Sequence, residues 1–130
     1  MNYIPPFHLL AASPEAFGEG AGQHVTFDDF RRVIRNILSS TIAVDEEWYL
    51  RRYEDVAQVI ADDPSRTARE HFYTDGYFEG RLPFRIVVDE RWYLTNNPDV
   101  AEGVRKGRIE SGQQHFEMHG YREGRLPFKV

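Results

Sequence analysis

Five histidines and twenty-one aspartates and glutamates are the raw material for chemistry in this 130-residue chain. His115 and His119 stand four apart on one predicted helix, so both imidazoles share a face, as zinc sites require. Forty-four residues earlier, His71 and Asp75 repeat the spacing. A zinc site needs at least one more ligand, and none stands at a recognisable spacing. The expectation is therefore no metal: a half-buried packing histidine, followed by a second that complements the negative end of its helix. The carboxylates Asp45, Asp55 and Glu79, and their counterparts Asp89, Asp99 and Glu123, could serve acid–base chemistry. Each also has a capping or ion-pair explanation, with Glu79 beside Arg81 and Glu123 beside Arg125 around a glycine. No serine–histidine pair or carboxylate pair emerges, so no catalytic residue and no enzymatic activity is assigned. Gly18, Gly20 and Gly22 lack the preceding strand and the following Lys-Ser or Lys-Thr of a phosphate loop, and read as a linker. The aromatic set Trp48, Tyr49 and Tyr77, with Trp92, Tyr93 and Tyr121, could stack on sugar rings, or could form a core.

Composition narrows these options. Hydrophobic residues make up 41% and aromatics 14%, which argues for a packed core rather than disorder. The net charge is −5, and the 16 basic residues are interleaved with acids, so no basic patch is set aside for a phosphate backbone. With no cysteine, disulfides, thiolate metal sites and thiol nucleophiles are out of reach. Residues 1–12 carry no positively charged leader region and contain Pro5 and Pro6. No signal peptide, no membrane span and no cofactor are expected, and the cytoplasm is the expected compartment.

The elements that must position these residues come from a duplication. VDEEWYLRRYEDVAQVIADDPSRTAREHFYTDGYFEGRLPF, residues 44–84, aligns without a gap on VDERWYLTNNPDVAEGVRKGRIESGQQHFEMHGYREGRLPF, residues 88–128, and 19 of the 41 pairs are identical. Each copy predicts three short helices. Asp45 and Asp89 are N-caps, with Glu46 and Glu90 in the first turn. Asn97 as N-cap and Pro98 at the first helical position start the second helix of copy two, which ends near Gly107. In copy one it ends near Asp63-Pro64. A third helix runs from about Ser65 to Asp75 and from about Glu110 to His119. Gly76 and Gly120 are read as left-handed C-terminal caps, because a Schellman ending there would pair Tyr77 with Phe72 and Tyr121 with Phe116. Glu-Gly-Arg-Leu-Pro-Phe then turns and exits extended.

Ahead of the repeats, Thr26-Phe27-Asp28-Asp29 resembles a capping signal. Phe30, Val33, Ile34, Ile37 and Leu38 follow at helical spacing, predicting an amphipathic helix over about 27–40. The expected organisation is an extended arm and flexible joint over 1–25, a capping helix over 26–43, repeat one over 44–87 and repeat two over 88–130. The fold class is all-α.

The repeat unit resembles a short bacterial module, often found in tandem. Its pattern here is Asp89, Tyr93-Leu94, Pro98-Asp99-Val100-Ala101, His115-Phe116, Gly120, Glu123-Gly124-Arg125 and Pro127. Copy one matches except for Glu54 in place of the proline. The resemblance covers residues 44–128. It implies an all-helical fold and a loose link to surface polysaccharide, since such modules accompany glycosyltransferase domains and secreted calcium-binding repeat proteins. It implies no catalytic residue.

The expected function is protein–protein interaction, as an adaptor or accessory subunit whose partner is a larger subunit or a second copy, with no nucleic acid. The apolar arm residues Tyr3, Ile4, Phe7, Leu9 and Leu10 would dock in a partner's groove. Leu126 and Phe128, at the apolar end of repeat two, would need a neighbour to cover them. The alternative is a glycan-binding module using the Trp and Tyr set above.

Overall fold

The computed structural model describes residues 3–10 and 26–130. All regular structure among them is helical, which makes the fold all-α. The chain divides into two compact bodies, one of Phe7–Arg85 and one of Ile86–Val130 together with residues 3–6. The glycine-rich stretch with Gly18, Gly20 and Gly22 lies outside the described residues.

In the first body, α1 (Phe7–Leu10) is a single turn following Pro5-Pro6. The arm is thus helical here where an extended segment is predicted from its prolines; proline just before a first turn costs no intrahelical bond. Helix α2 (Phe27–Thr41) starts where the sequence places it. Thr26 Oγ1 accepts from Asp29 N–H, and the Asp29 carboxylate returns the bond to Thr26 N–H, closing a capping box. Helix α2 ends without a glycine. Ser39, Ser40 and Thr41 turn their hydroxyls back onto carbonyls of the previous turn, and Ile42 takes up extended geometry.

Repeat one supplies α3 (Glu46–Arg52), α4 (Glu54–Asp62) and α5 (Ala68–His71), the last running into a wide π turn over Phe72–Gly76. In the second body the counterparts are α6 (Glu90–Asn96), α7 (Pro98–Arg105) and α8 (Gly112–His115), with a π turn over Phe116–Gly120. Asp45 and Asp89 cap as expected, each accepting from the N–H three residues on at 3.0 Å. The third helices begin later than the sequence suggests, capped by Thr67 and Ser111. Their first N–H groups are held from a distance. Glu46 accepts from Arg69 N–H, and Glu90 accepts from Gly112 and Gln113 N–H, so a residue of each first helix fastens the start of the third.

Each repeat closes on itself. Asp45 N–H donates to the Pro83 carbonyl and Asp89 N–H to the Pro127 carbonyl, both at 3.0 Å, tying entry to exit. The core of the first body holds Leu38, Tyr49, Val56, Phe72, Tyr77 and Leu82, and that of the second Tyr93, Val100, Phe116, Tyr121 and Phe128.

Candidate interaction surface

The centre of each repeat is a tyrosine–histidine pair. Tyr49, wholly buried, reaches from α3 to place its hydroxyl 3.0 Å from His71 Nδ1; Tyr93 reaches from α6 to His115 Nδ1 at the same distance. Burial, then the nearby guanidinium of Arg81 or Arg125, lowers the pKa of each histidine. Burial raises the tyrosines, Tyr93 to about 12 and Tyr49 further. Both shifts favour an uncharged hydroxyl hydrogen-bonded to an uncharged imidazole, so the polar atoms meeting inside each repeat satisfy one another.

This pair explains Gly76 and Gly120. Neither has positive φ; among the described residues the left-handed glycines are Gly80, Gly107 and Gly124. A Cβ on Gly76 would fall on the Tyr49 hydroxyl, and one on Gly120 on the Tyr93 hydroxyl. These glycines are there for close approach. The Schellman ending lies four residues later: Gly80 N–H donates to Tyr77 O and Arg81 N–H to Gly76 O, and Gly124 and Arg125 repeat both bonds. The expected aromatic pairs still form, Phe72 with Tyr77 and Phe116 with Tyr121, each edge-to-face at 6.1 Å, because the π turn bonds residues five apart.

Leaving that ending, Arg81 folds back over 26 residues to clamp both oxygens of Asp55 at 3.0 and 2.7 Å, and takes Glu79 at 2.7 Å. Arg125 does the same with Asp99 and Glu123 and also reaches Asn97 Oδ1. The Arg125 hydrogen bonds hold Asp99 down at about 2, and Arg81 lowers Asp55 likewise. Sequence spacing pairs each arginine with its near glutamate; the distant aspartate becomes visible only in the fold. Asn97 also departs from expectation. It makes no N-cap bond with its side chain, and donates instead to the Tyr93 carbonyl, closing the end of α6. Its counterpart Tyr53 uses its hydroxyl to accept from Leu82 N–H, while Arg81 stacks 4.9 Å from the Tyr53 ring centroid.

The residues proposed for binding are dispersed. Phe7, only 7% exposed, sits among Phe27, Phe30, Tyr77 and Phe78, so it belongs to this chain's own core and not to a partner's groove. Tyr3 and Ile4 are half-buried, and Tyr3 packs edge-on against Tyr121 at 6.3 Å. Leu9 is exposed, and the Leu10 side chain lies outside the described residues. Phe128 is buried, whereas Leu126 is 39% exposed. Of the glycan-stacking set, Tyr49, Tyr77, Tyr93 and Tyr121 are buried and offer no face to a sugar; Trp48 and Trp92 are half-buried. His115 and His119 lie with ring centroids 5.8 Å apart, but His115 Nδ1 is engaged by Tyr93, and no group of three or more metal-ligating side chains forms among the described residues.

The outer side of α2 is a further surface feature, marked in the sequence only as part of an apolar stripe. Arg31 lies 4.4 Å from the Phe78 ring centroid and donates to the Thr74 carbonyl, and Leu38 is buried, so one side of the helix is fastened to repeat one. Away from these contacts Val33 and Ile37 are 54 and 51% exposed, while Phe27, 57% exposed, packs edge-on against Phe7. The helical spacing marks an apolar stripe, but spacing alone does not say how much of that stripe the chain covers. No helix among the described residues is long and apolar enough to cross a membrane. The chain matches no protein-family model, no curated protein and no solved structure.

Proposed function

We propose that the chain is a non-enzymatic protein–protein interaction module, an adaptor or small accessory subunit of a bacterial complex, and that the outer side of α2 is its contact surface. The observation that carries this reading is the exposure of Val33 and Ile37, one turn apart on α2 and away from the side that Phe27, Arg31 and Leu38 anchor. Single exposed apolar residues are ordinary on a protein surface. A pair of them one turn apart on an amphipathic helix, with half-buried Ile34 between them, is the form that helix-in-groove recognition takes. The partner is accordingly a protein offering an apolar groove or a facing helix. The interface moves from the arm to α2 because Phe7 is already used within the fold.

The experiment is a capture from the native host with the full chain and with the Val33→Glu/Ile37→Glu double variant. Both positions are exposed, so the variant should keep its helical spectrum and melting temperature. A protein captured by the parent and lost by the variant supports the reading. Capture of the same proteins by both places the interface elsewhere. Sedimentation of the two proteins shows whether the partner is a second copy.

A further inference from the structure

The N-terminal arm gives each repeat one aromatic ring, and gives it to the same residue. Tyr77 and Tyr121 are counterparts, each the first residue after its π turn. In the first body Phe7 stands edge-on to Tyr77, with ring centroids 6.1 Å apart. In the second body Tyr3 stands edge-on to Tyr121 at 6.3 Å. A phenylalanine meets one tyrosine and a tyrosine meets the other, so the position accepts a ring rather than one particular residue.

The first body builds a full socket around its ring. Phe78 approaches Phe7 to 4.8 Å, Phe30 to 5.8 Å and Phe27 to 5.9 Å between centroids. The walls hold one another without Phe7. Arg31 lies 4.4 Å from the Phe78 centroid and 6.0 Å from that of Phe27, and it donates to the Thr74 carbonyl at 3.4 Å, which ties α2 to the π turn. Tyr77 packs on Phe72 at 6.1 Å and on Phe78 at 5.5 Å. The ring that fills the socket is held more lightly. Helix α1 is a single turn, too short to stand alone, and its His8 and Leu9 are exposed. Phe7 and the buried Pro6 before it are the firm points of the arm, with Tyr3 and Ile4 half-buried. Burial of so few side chains is of the same order as the conformational entropy lost in fixing the arm.

We propose that this socket is a docking site for an aromatic side chain of a partner protein, presented on a proline-containing segment, and that Phe7 is the plug which the partner displaces. The chemistry of the occupant is that of the plug: a phenylalanine or tyrosine ring directly after prolines, as Phe7 follows Pro5-Pro6, entering edge-on among Phe27, Phe30, Tyr77 and Phe78. An incoming ring meets only those sockets from which the arm has left, so the closed arm lowers the apparent affinity by the fraction of sockets left open. The proposal rests on the reading of the chain as an interaction module, but it does not use Val33 or Ile37.

The test is an amide-resolved NMR titration of the full chain, with an end-blocked peptide of residues 3–10 as the probe. Saturable shifts centred on residues 27–30 and 76–78 are expected. Full-length Phe7→Ala should bind the peptide about tenfold tighter than the parent, because its plug is gone. The peptide should also raise the melting temperature of that variant towards the parent's. A peptide carrying Phe7→Ala should not bind. If the full-length Phe7→Ala variant does not fold, Phe7→Leu, which keeps an apolar plug without a ring, carries the same comparison with the parent. Val33→Glu/Ile37→Glu should bind the peptide as the parent does, so the socket and the α2 surface are read separately. The proposal is overturned if no saturable shift appears, if the Phe7→Ala peptide binds as well as the natural one, if the parent binds as tightly as the variant without the plug, or if the α2 double variant loses the peptide.

Discussion

Repeat one and repeat two share a frame and differ on its surface, and the division falls along physical lines. Identical in both are the residues that meet one another in the interior, the buried tyrosine, its histidine and the glycine that makes room for the hydroxyl, and also the partly buried arginine with the exposed aspartate and glutamate it clamps. Different are residues with freedom to settle locally, such as Tyr53 against Asn97, Val59 against Gly103 and Ser65 against Ile109. Tyr53 and Asn97 are instructive because both are engaged by the same arginine, one through its ring face and the other through its amide oxygen. An interior contact that depends on an atom-sized gap leaves one solution; a contact made at the surface leaves several.

The largest effect should come from closing that gap. Gly76→Ala and Gly120→Ala each force a methyl group onto a tyrosine hydroxyl with no room to retreat, and each should cost about 3 kcal/mol in urea denaturation. Removing the hydroxyl should make room. In the Tyr49→Phe background Gly76→Ala should cost at least about 1 kcal/mol less than alone, a coupling that a double-mutant cycle measures directly. Additive costs would show that the glycine serves some purpose other than tyrosine approach.

Next in size is the arginine clamp. Arg81→Met and Arg125→Met should each cost about 2 kcal/mol, because a partly buried guanidinium holding a carboxylate through two bonds loses both charge-assisted contacts and leaves the start of the second helix untied. The aspartates themselves are well exposed, so Asp55→Asn and Asp99→Asn should cost less, about 1 kcal/mol. If the arginine variants melt with the parent, the clamp is a surface ion pair and the repeats are held by their aromatic cores alone.

Gly80→Ala and Gly124→Ala should cost about 1 kcal/mol each through backbone strain, since both glycines hold φ near +75°. This set also separates the two classes of glycine: Tyr49→Phe should do nothing to rescue Gly80→Ala. The distinction was beyond the sequence. Phe72 and Tyr77 sit at the spacing a Schellman ending at Gly76 would require, and their rings do meet, but it is the π turn that brings them together. The neighbouring signal at Gly80, a glycine three residues before a proline in both copies, marks the true ending. The caps at Thr26, Asp45 and Asp89, the extent of α2 and the all-α class were legible because each rests on contacts within a few residues. The hole for a tyrosine hydroxyl, the reach of Arg81 to Asp55 and the bare side of α2 were not, because each depends on elements more than twenty residues away or on how much of a stripe the chain leaves open.

The smallest effect is a difference in sign between the two histidines. Burial comes first in lowering both, so the folded state favours the neutral imidazole. A histidine depressed on folding contributes stability that is fully present above its unfolded value, near 6.5, and is lost as pH falls through its folded value. Both repeats should therefore weaken on acidification below about 6.5. The neighbour four residues on then separates them. Beside His71 stands Asp75, whose negative charge raises the histidine; beside His115 stands His119, whose positive charge lowers it. Asp75→Asn should move His71 titration to lower pH, and His119→Gln should move His115 titration to higher pH, each read from its imidazole resonances by NMR. Both shifts should be a fraction of a unit, since the neighbours are exposed and screened. Shifts of the same sign in the two variants would mean that the mutations act through altered burial, and that the charge at this position does not distinguish the repeats.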